Sequence, residues 1–219
     1  DLLGDGARHT RRRTDDPATG ILDESRLGYD LLVLGASDTA PDGSLVSTVV
    51  DRVLGSVLIP TVVVRLPDGA PPFPPRRILI PVTASRSSRA AEELGYSLAR
   101  MVGASALALH VVNSDPGEGL WVADRSLRDS MQTAIELVGA SRAFGARLGA
   151  DVETTVRVSS QAEREIVELA NTGGFDLLVI GAANRPLTER PFFGHRVRHI
   201  IENAAIPVAI VALPTERRG

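Results

Sequence analysis

The residues best placed to do chemistry lie between Gly181 and Val197. An apolar run, FDLLVIGA at 175–182, ends on Gly181 and Ala182 and is followed by Ala183 and Asn184; after nine further residues Gly194, His195, Arg196 and Val197 open a segment of helical periodicity. A strand that ends in glycine and hands over to a helix start is suited to holding an anion. The first backbone N–H groups of a helix lack intrahelical partners, and its dipole favours negative charge. His195, Arg196 and Arg198 add donors where a phosphate would sit. Bond-making chemistry has no such support. There is no Gly-x-Ser-x-Gly elbow, no phosphate loop with its lysine, and no Ser, His and Asp in a recognisable triad order. His195 and His199 stand four apart, a spacing that can ligate zinc, but no third ligand and no intervening Glu accompany them. They read as a surface or phosphate-facing pair. His110 closes an apolar run and reads as a core histidine, while Glu92, Glu93, Glu163 and Glu165 read as solvated helix faces. The expectation is a binding protein with no catalytic residues and no metal.

Such a site needs strands and helices in alternation to position it. Five apolar runs of strand length, at 77–82, 104–112, 152–158, 175–181 and 207–213, alternate with four segments whose apolar residues recur at helical spacing. In the first of these Ala91, Leu94, Leu98, Met101 and Val102 share a face behind a Ser-rich start; in the second Leu127, Met131, Ala134, Ile135 and Val138 do so. Ile166, Leu169 and Ala170 make a shorter helix stopped by Gly173 and Gly174, and Val197, Ile200, Ile201 and Ala204 lead into the last strand. Strict alternation with right-handed crossovers predicts an α/β fold, an open doubly wound five-stranded parallel sheet.

The chain also repeats itself. YDLLVLGA at 29–36 parallels FDLLVIGA, and IPTVVVRLP from Ile59 parallels IPVAIVALP from Ile206. The offset is the size of a small domain, so the expectation is one complete copy at 77–214 and one partial copy at 1–66, joined by a Pro-rich linker at 67–76 that acts as a stiff spacer. In the partial copy 8–13 is its third strand, 18–25 its third helix and 30–34 its fourth strand; Val46, Val49, Val50, Val53, Leu54 and Val57 form an apolar stripe before the strand at 61–65. About 70 residues are missing from its front relative to the other copy. Trp121, the lone tryptophan, falls in a loop, GEGLWVADRS, as a hydrophobic anchor or a lid.

Composition narrows the partners. A net charge of −3 gives no basic field, which argues against nucleic acid. All 24 basic residues are Arg, read first as genomic coding bias, with anion-binding forks as the alternative. Absence of Cys removes disulfides and thiolate metal sites and fits a reducing, cytoplasmic setting. The apolar runs fall short of the ~20 residues of a membrane helix. No signal peptide is evident, and Asp1 suggests a piece of a larger protein.

The spacing from Gly181 to Val197, with ILIPVTAS, the LHVV that ends at Val112 and the closing IPVAIVAL, resembles the universal stress protein family over 77–214, and in part over 9–66. That resemblance implies an adenine-nucleotide-binding fold whose ATP-binding members carry Gly-x2-Gly-x9-Gly-Ser/Thr. It places Pro81, Val82, Thr83, Val112, Gly181, Ala182, Asn184, Gly194, His195, Arg196 and Val197 at the ligand. Three departures alter the site: Thr83 replaces the Asp that meets adenine, Asn184 the second Gly, and His195 the phosphate-binding Ser/Thr. In the partial copy Asp38 and Asp42 bring negative charge to the equivalent place, and Ser47-Thr48-Val49 replaces Gly-Ser-Val. The resemblance further implies pairing of copies through their last strands, Thr61 to Arg65 and Pro207 to Leu213, within one chain or in a homodimer. PFFGHRV followed by an Ile-Pro strand resembles the subgroup that forms cytoplasmic tails of cation/proton antiporters, which implies a regulatory, non-enzymatic module attached to a membrane transporter. The alternative is a free soluble stress protein that binds ATP, AMP or a cyclic nucleotide; a nucleotidyl-transferring enzyme lacks the acids or Lys it would need near Gly181.

Overall fold

Residues from both ends of the chain build one hydrogen-bonded sheet. The computed structural model describes residues 11, 13–36, 47–114, 120–183, 185–186 and 191–214. In chain order the elements are α1 (Pro17–Ser25), β1 (Leu32–Ala36), α2 (Thr48–Ser56), β2 (Thr61–Arg65), β3 (Arg77–Pro81), α3 (Arg86–Val102), β4 (Ser105–Asn113), α4 (Leu120–Arg147), β5 (Asp151–Ser159), α5 (Ala162–Thr172), β6 (Leu177–Ala182), the two-residue β7 (Arg185–Pro186) and β8 (Pro191–Phe192), α6 (His195–Asn203) and β9 (Val208–Ala212). The main sheet has seven strands in the order β1-β2-β9-β6-β3-β4-β5, and β7 and β8 form a separate ribbon. Every neighbouring pair in the main sheet is parallel except β2 and β9.

The five expected strands are present, within a residue or two, as β3, β4, β5, β6 and β9. The expected five-stranded sheet is nevertheless too small. β9 is buried along its whole length, and an apolar strand cannot be left as an edge with unpaired N–H and C=O groups. β2 covers it in antiparallel register, with Val63 opposite Ile210, Thr61 opposite Ala212 and Arg65 opposite Val208. The Arg65 guanidinium adds a 2.6 Å bond to the Ala204 carbonyl. β1 then extends the sheet beside β2, and among the described residues it is the edge.

Side chains alternate across this sheet, and each face collects its own helices. On one face Val63, Leu178, Ile180, Val208 and Ile210 meet Val50 and Leu54 of α2 and the apolar stripes of α5 and α6; Ala18 of α1 joins Val53 and Val57 beside them. On the other face Ile78, Ile80, Val179 and Val211 meet Ala91, Tyr96 and Ala99 of α3 and Val138 of α4. α3 begins where Ser85 accepts the Ser88 N–H at 3.1 Å and ends at Gly103, whose φ of 72° is open to glycine at little cost.

Several expectations need correction. α4 starts at Leu120, so Trp121 belongs to a helix and not to a loop. Met101 and Ile135, placed on core-facing stripes, are 79% and 53% exposed. Glu92 is 3% exposed rather than solvated: it accepts from Ser141 Oγ at 2.7 Å, Ser141 contacts the Tyr96 hydroxyl at 2.6 Å, and Arg89 lies 3.4 Å away. Burial pushes its carboxyl above the ordinary range, and pushes the Tyr96 phenol up to about 12. The supposed spacer does more than separate. Because β2 runs antiparallel to β9, its end lies on the same sheet edge as the start of β3; the joint crosses that edge with Pro75 buried and with Pro71, Pro72 and Phe73 lining an apolar groove. The strand expected at 8–13 falls mostly outside the described residues, and Arg11 and Arg13 are in no strand.

Candidate ligand crevice

From β3 the chain winds outward through β4 to β5, then returns to β6 and β9 on the other side. α3 leaves β3 on one face of the sheet and α6 leaves β6 for the other. Between the carboxyl ends of β3 and β6, therefore, no crossover closes the top of the sheet. This reversal point is where open α/β sheets hold ligands.

Hydroxyl groups form the β3 wall. Pro81 ends the strand, and Val82 is buried, its N–H donating to the Leu109 carbonyl at 2.8 Å. The Val82 carbonyl takes a 2.8 Å bond from His110 Nδ1, which must carry the proton because a carbonyl only accepts. His110 is thus held as a half-buried structural residue. Thr83 is exposed; its N–H donates to Ser88 Oγ at 2.8 Å and its hydroxyl lies 3.0 Å from that of Ser85, which is 3.3 Å from Ser87 Oγ. Ser85, Ser87, Ser88 and His110 were not among the expected site residues. The signal was the SRSS that follows ILIPVTA, there taken only as a helix start.

Across the crevice, Gly181 serves packing. A Cβ on it would lie 2.2 Å from the Ser87 carbonyl oxygen and 2.5 Å from the Ser88 nitrogen, so the first turn of α3 can rest on β6 only over a glycine. Ala182 is buried in the core and Val112 is buried on β4. Neither offers a polar group. Asn184 lies outside the described residues.

The third wall is the start of α6. Gly194 adopts φ 89° and caps the helix with no side-chain bond, and a Cβ there would meet nothing within 4 Å. His195 is exposed at the first helical position. The arginines expected beside it are engaged: Arg196 pairs with Glu163 at 3.7 Å and Arg198 with Glu202 at 2.8 Å. Val197 packs on the core. Thr83 and Ser85 follow the end of β3, Gly181 lies near the end of β6, and Gly194 and His195 open the helix that leads into β9, so the topology puts all five on the carboxyl-end side of the strands, where a helix N-terminus favours an anion. At the equivalent place on β1, Ser47 Oγ accepts the Val50 N–H at 3.3 Å and caps α2 itself; Asp38 and Asp42 lie outside the described residues.

The comparisons with known proteins agree with this architecture. The profile of the Universal stress protein family matches residues 75–212. The chain belongs to that family. A universal stress protein of Methanocaldococcus jannaschii is 28% identical over 145 residues, 64% of this chain and 83% of that one. Among solved structures, the universal stress protein UspA of Lactobacillus plantarum superimposes with a TM-score of 0.53 at 21% identity, over 63% of this chain and 96% of its own. A universal stress protein of Archaeoglobus fulgidus reaches 0.61 at 17% identity and spans 91% of this chain and 68% of its own. That likeness extends the shared fold to most of the described residues. No helix among them is long and apolar enough to cross a membrane.

Proposed function

We propose that this universal stress protein is a sensory module that holds a phosphate-bearing ligand, in the first place an adenine nucleotide, in the crevice between β3 and β6 and carries out no reaction on it. The observation that carries this reading is an α6 start with glycine in place of a side-chain cap, on the same carboxyl-end side of the sheet as the Thr83 and Ser85 hydroxyls that follow β3. A phosphate there would take the role that a capping side chain has elsewhere. With Thr83 in place of a carboxylate, the adenine loses a charged acceptor, so the ligand is held chiefly through phosphate and ribose. Titration calorimetry with ATP, AMP and a cyclic nucleotide tests the reading. Saturable heat with at least one of them, weakened by Thr83→Val or Gly194→Ala, supports it; no binding of any at millimolar concentration rejects it.

The repeated phrases support a finer organisation, two units facing each other across β2 and β9, with the module acting as the cytoplasmic tail of a cation/proton antiporter. For the tail, support comes from PFFGHRV and the Ile-Pro strand that follows it. A coding sequence with no membrane-spanning helices ahead of residue 1 rejects the tail assignment and leaves the ligand reading standing.

A further inference from the structure

The two units of the repeat are buried to very different degrees. Leu31 and Val33 occupy the places in YDLLVLGA that Leu177 and Val179 hold in FDLLVIGA. Leu177 and Val179 are 8% and 0% exposed, whereas Leu31 and Val33 are 41% and 60% exposed. The symmetry of the sheet says what is different. Val63 and Ile210 are equivalent in the repeat and face each other, and Thr61, equivalent to Val208, faces Ala212, equivalent to Arg65. The antiparallel seam is therefore centred on Val63 and Ile210, as in a two-fold contact between like surfaces. The same operation carries β9 and β6 onto β2 and β1. It carries β3, which pairs with β6, and α3, which covers it, onto the space beside β1.

Among the described residues that space is open and shaped for them. A cavity of about 550 Å³ runs between Leu31, Val33 and Val64 on the sheet and Leu98 and Met101 on α3. Gly35 has nothing within 4 Å of where its Cβ would be, although its counterpart Gly181 is pressed against Ser87 and Ser88 of α3. Asp176 accepts the N–H groups of Arg76 and Arg77 at 2.8 and 3.0 Å where β3 begins; its counterpart Asp30 is exposed, with no hydrogen bond to its carboxylate among the described residues. The backbone is ready too. Leu32 donates to the Pro60 carbonyl on the β2 side, so by the alternation of a strand the N–H groups of Val33 and Gly35 point to the free edge.

We infer that the β1 edge and this groove form a docking surface for one βα unit of protein outside these 219 residues: a strand that adds parallel to β1, its first N–H groups on Asp30, followed by an amphipathic helix that passes over Gly35 and fills the groove against Met101. The inference rests on reading the chain as two related units. It does not depend on the ligand crevice, which lies at the carboxyl ends of β3 and β6, so a failed nucleotide titration leaves it untouched.

The unit that the symmetry prescribes can be supplied. A second copy of residues 75–103, the β3 and α3 segment, is tethered through a Gly/Ser linker ahead of residue 1 of the full chain, where the tether raises its effective concentration to the order of millimolar. Hydrogen exchange is read at Val33 and Gly35. The expected result is at least tenfold slower exchange at both amides, lost with Met101→Glu, which touches an already exposed side chain, and with Val33→Glu. Unchanged exchange at both amides in the tethered protein overturns the proposal. So does a dimer by light scattering in which the untethered chain already protects them, since a second copy would then be the occupant. Decanoate shielding the groove while the tethered segment gives no protection would assign it to apolar small molecules and overturn the proposal as well.

Discussion

Gly181 and Gly35 stand at the same place in the repeated phrase, and alanine at each should give opposite results. Neither has a positive φ, so backbone strain does not enter and the added methyl is the whole perturbation. At Gly181 the Cβ would sit 2.2 Å from the Ser87 oxygen, 2.3 Å from its carbonyl carbon and 2.5 Å from the Ser88 nitrogen, all backbone atoms of the first turn of α3. Backbone cannot rotate away as a side chain can. The turn must retreat by more than an ångström, which disturbs the Ser85 cap and the Thr83 to Ser88 bond along with the packing. Overpacking of this kind costs about 3 kcal/mol, which in a protein of this size lowers Tm by roughly 6–12 °C. At Gly35 nothing lies within 4 Å, and replacing glycine inside a strand should leave stability unchanged or raise it by about 0.5 kcal/mol. Urea unfolding of the two variants followed by circular dichroism provides the comparison. Equal destabilisation, or a Gly181→Ala variant within about 0.5 kcal/mol of wild type, would refute the claim that α3 rests on β6 through this glycine. In the tethered protein the tolerance at Gly35 should disappear, because a helix start would then occupy that space.

Two pH effects follow from the charges. Glu92 is held above its ordinary value of 4.5 by burial, so the folded state binds its proton more tightly than the unfolded chain; this contribution to stability is complete below pH 4.5 and is lost as pH rises through the folded value. Glu92→Gln should remove that part of the decline, and urea midpoints measured from pH 4 to 8 that fall in parallel for both proteins would contradict it. Asp16 behaves oppositely. Bonded by the Arg52 guanidinium at 2.7 and 2.8 Å and by the Thr19 hydroxyl at 2.6 Å, it titrates at about 2 instead of 3.8. Its contribution is present above pH 3.8 and lost as pH falls through about 2, and Arg52→Ala should return its carboxyl NMR titration toward 3.8.

Strand positions were legible in the sequence because parallel strands buried on both faces must be continuously apolar, and ILIP, LLVIGA and VAIVA admit little else. Helix faces were less so. Met101 fits the stripe of α3 by spacing, yet its neighbours across the groove are not covered by any helix among the described residues, which periodicity within one segment cannot reveal. Glu92 shows the converse: a charged letter on a helix reads as solvated unless its partners are known, and Ser141 lies 49 positions away. The candidate crevice was read from Gly181 and Gly194, but for one of them the structure gives a different physical reason. Gly181 is fixed by the approach of α3, and the hydroxyls that line the opposite wall lie in a serine run too common to mark a site. Arg196 and Arg198 carried the expected positive charge, but Glu163 and Glu202 hold them.

The seam at β2 and β9 bears on how a ligand in the proposed crevice would be felt across the sheet. β6 joins the crevice to β9, and β9 passes through Val63 and Ile210 to β2 and β1. The ribbon of β7 and β8, which connects the end of β6 to α6, reaches α2 in the other half of the sheet. Phosphate at the α6 start would therefore act on a helix linked by its own lead-in ribbon to the far half of the sheet, where β1 is the edge among the described residues. If the two sites are coupled, nucleotide and the tethered βα segment must alter each other's affinity by the same factor, since linkage between two bound ligands is reciprocal. Calorimetry on the tethered and untethered proteins measures that factor directly. Identical nucleotide affinities in the two would make the sheet a passive scaffold between independent surfaces.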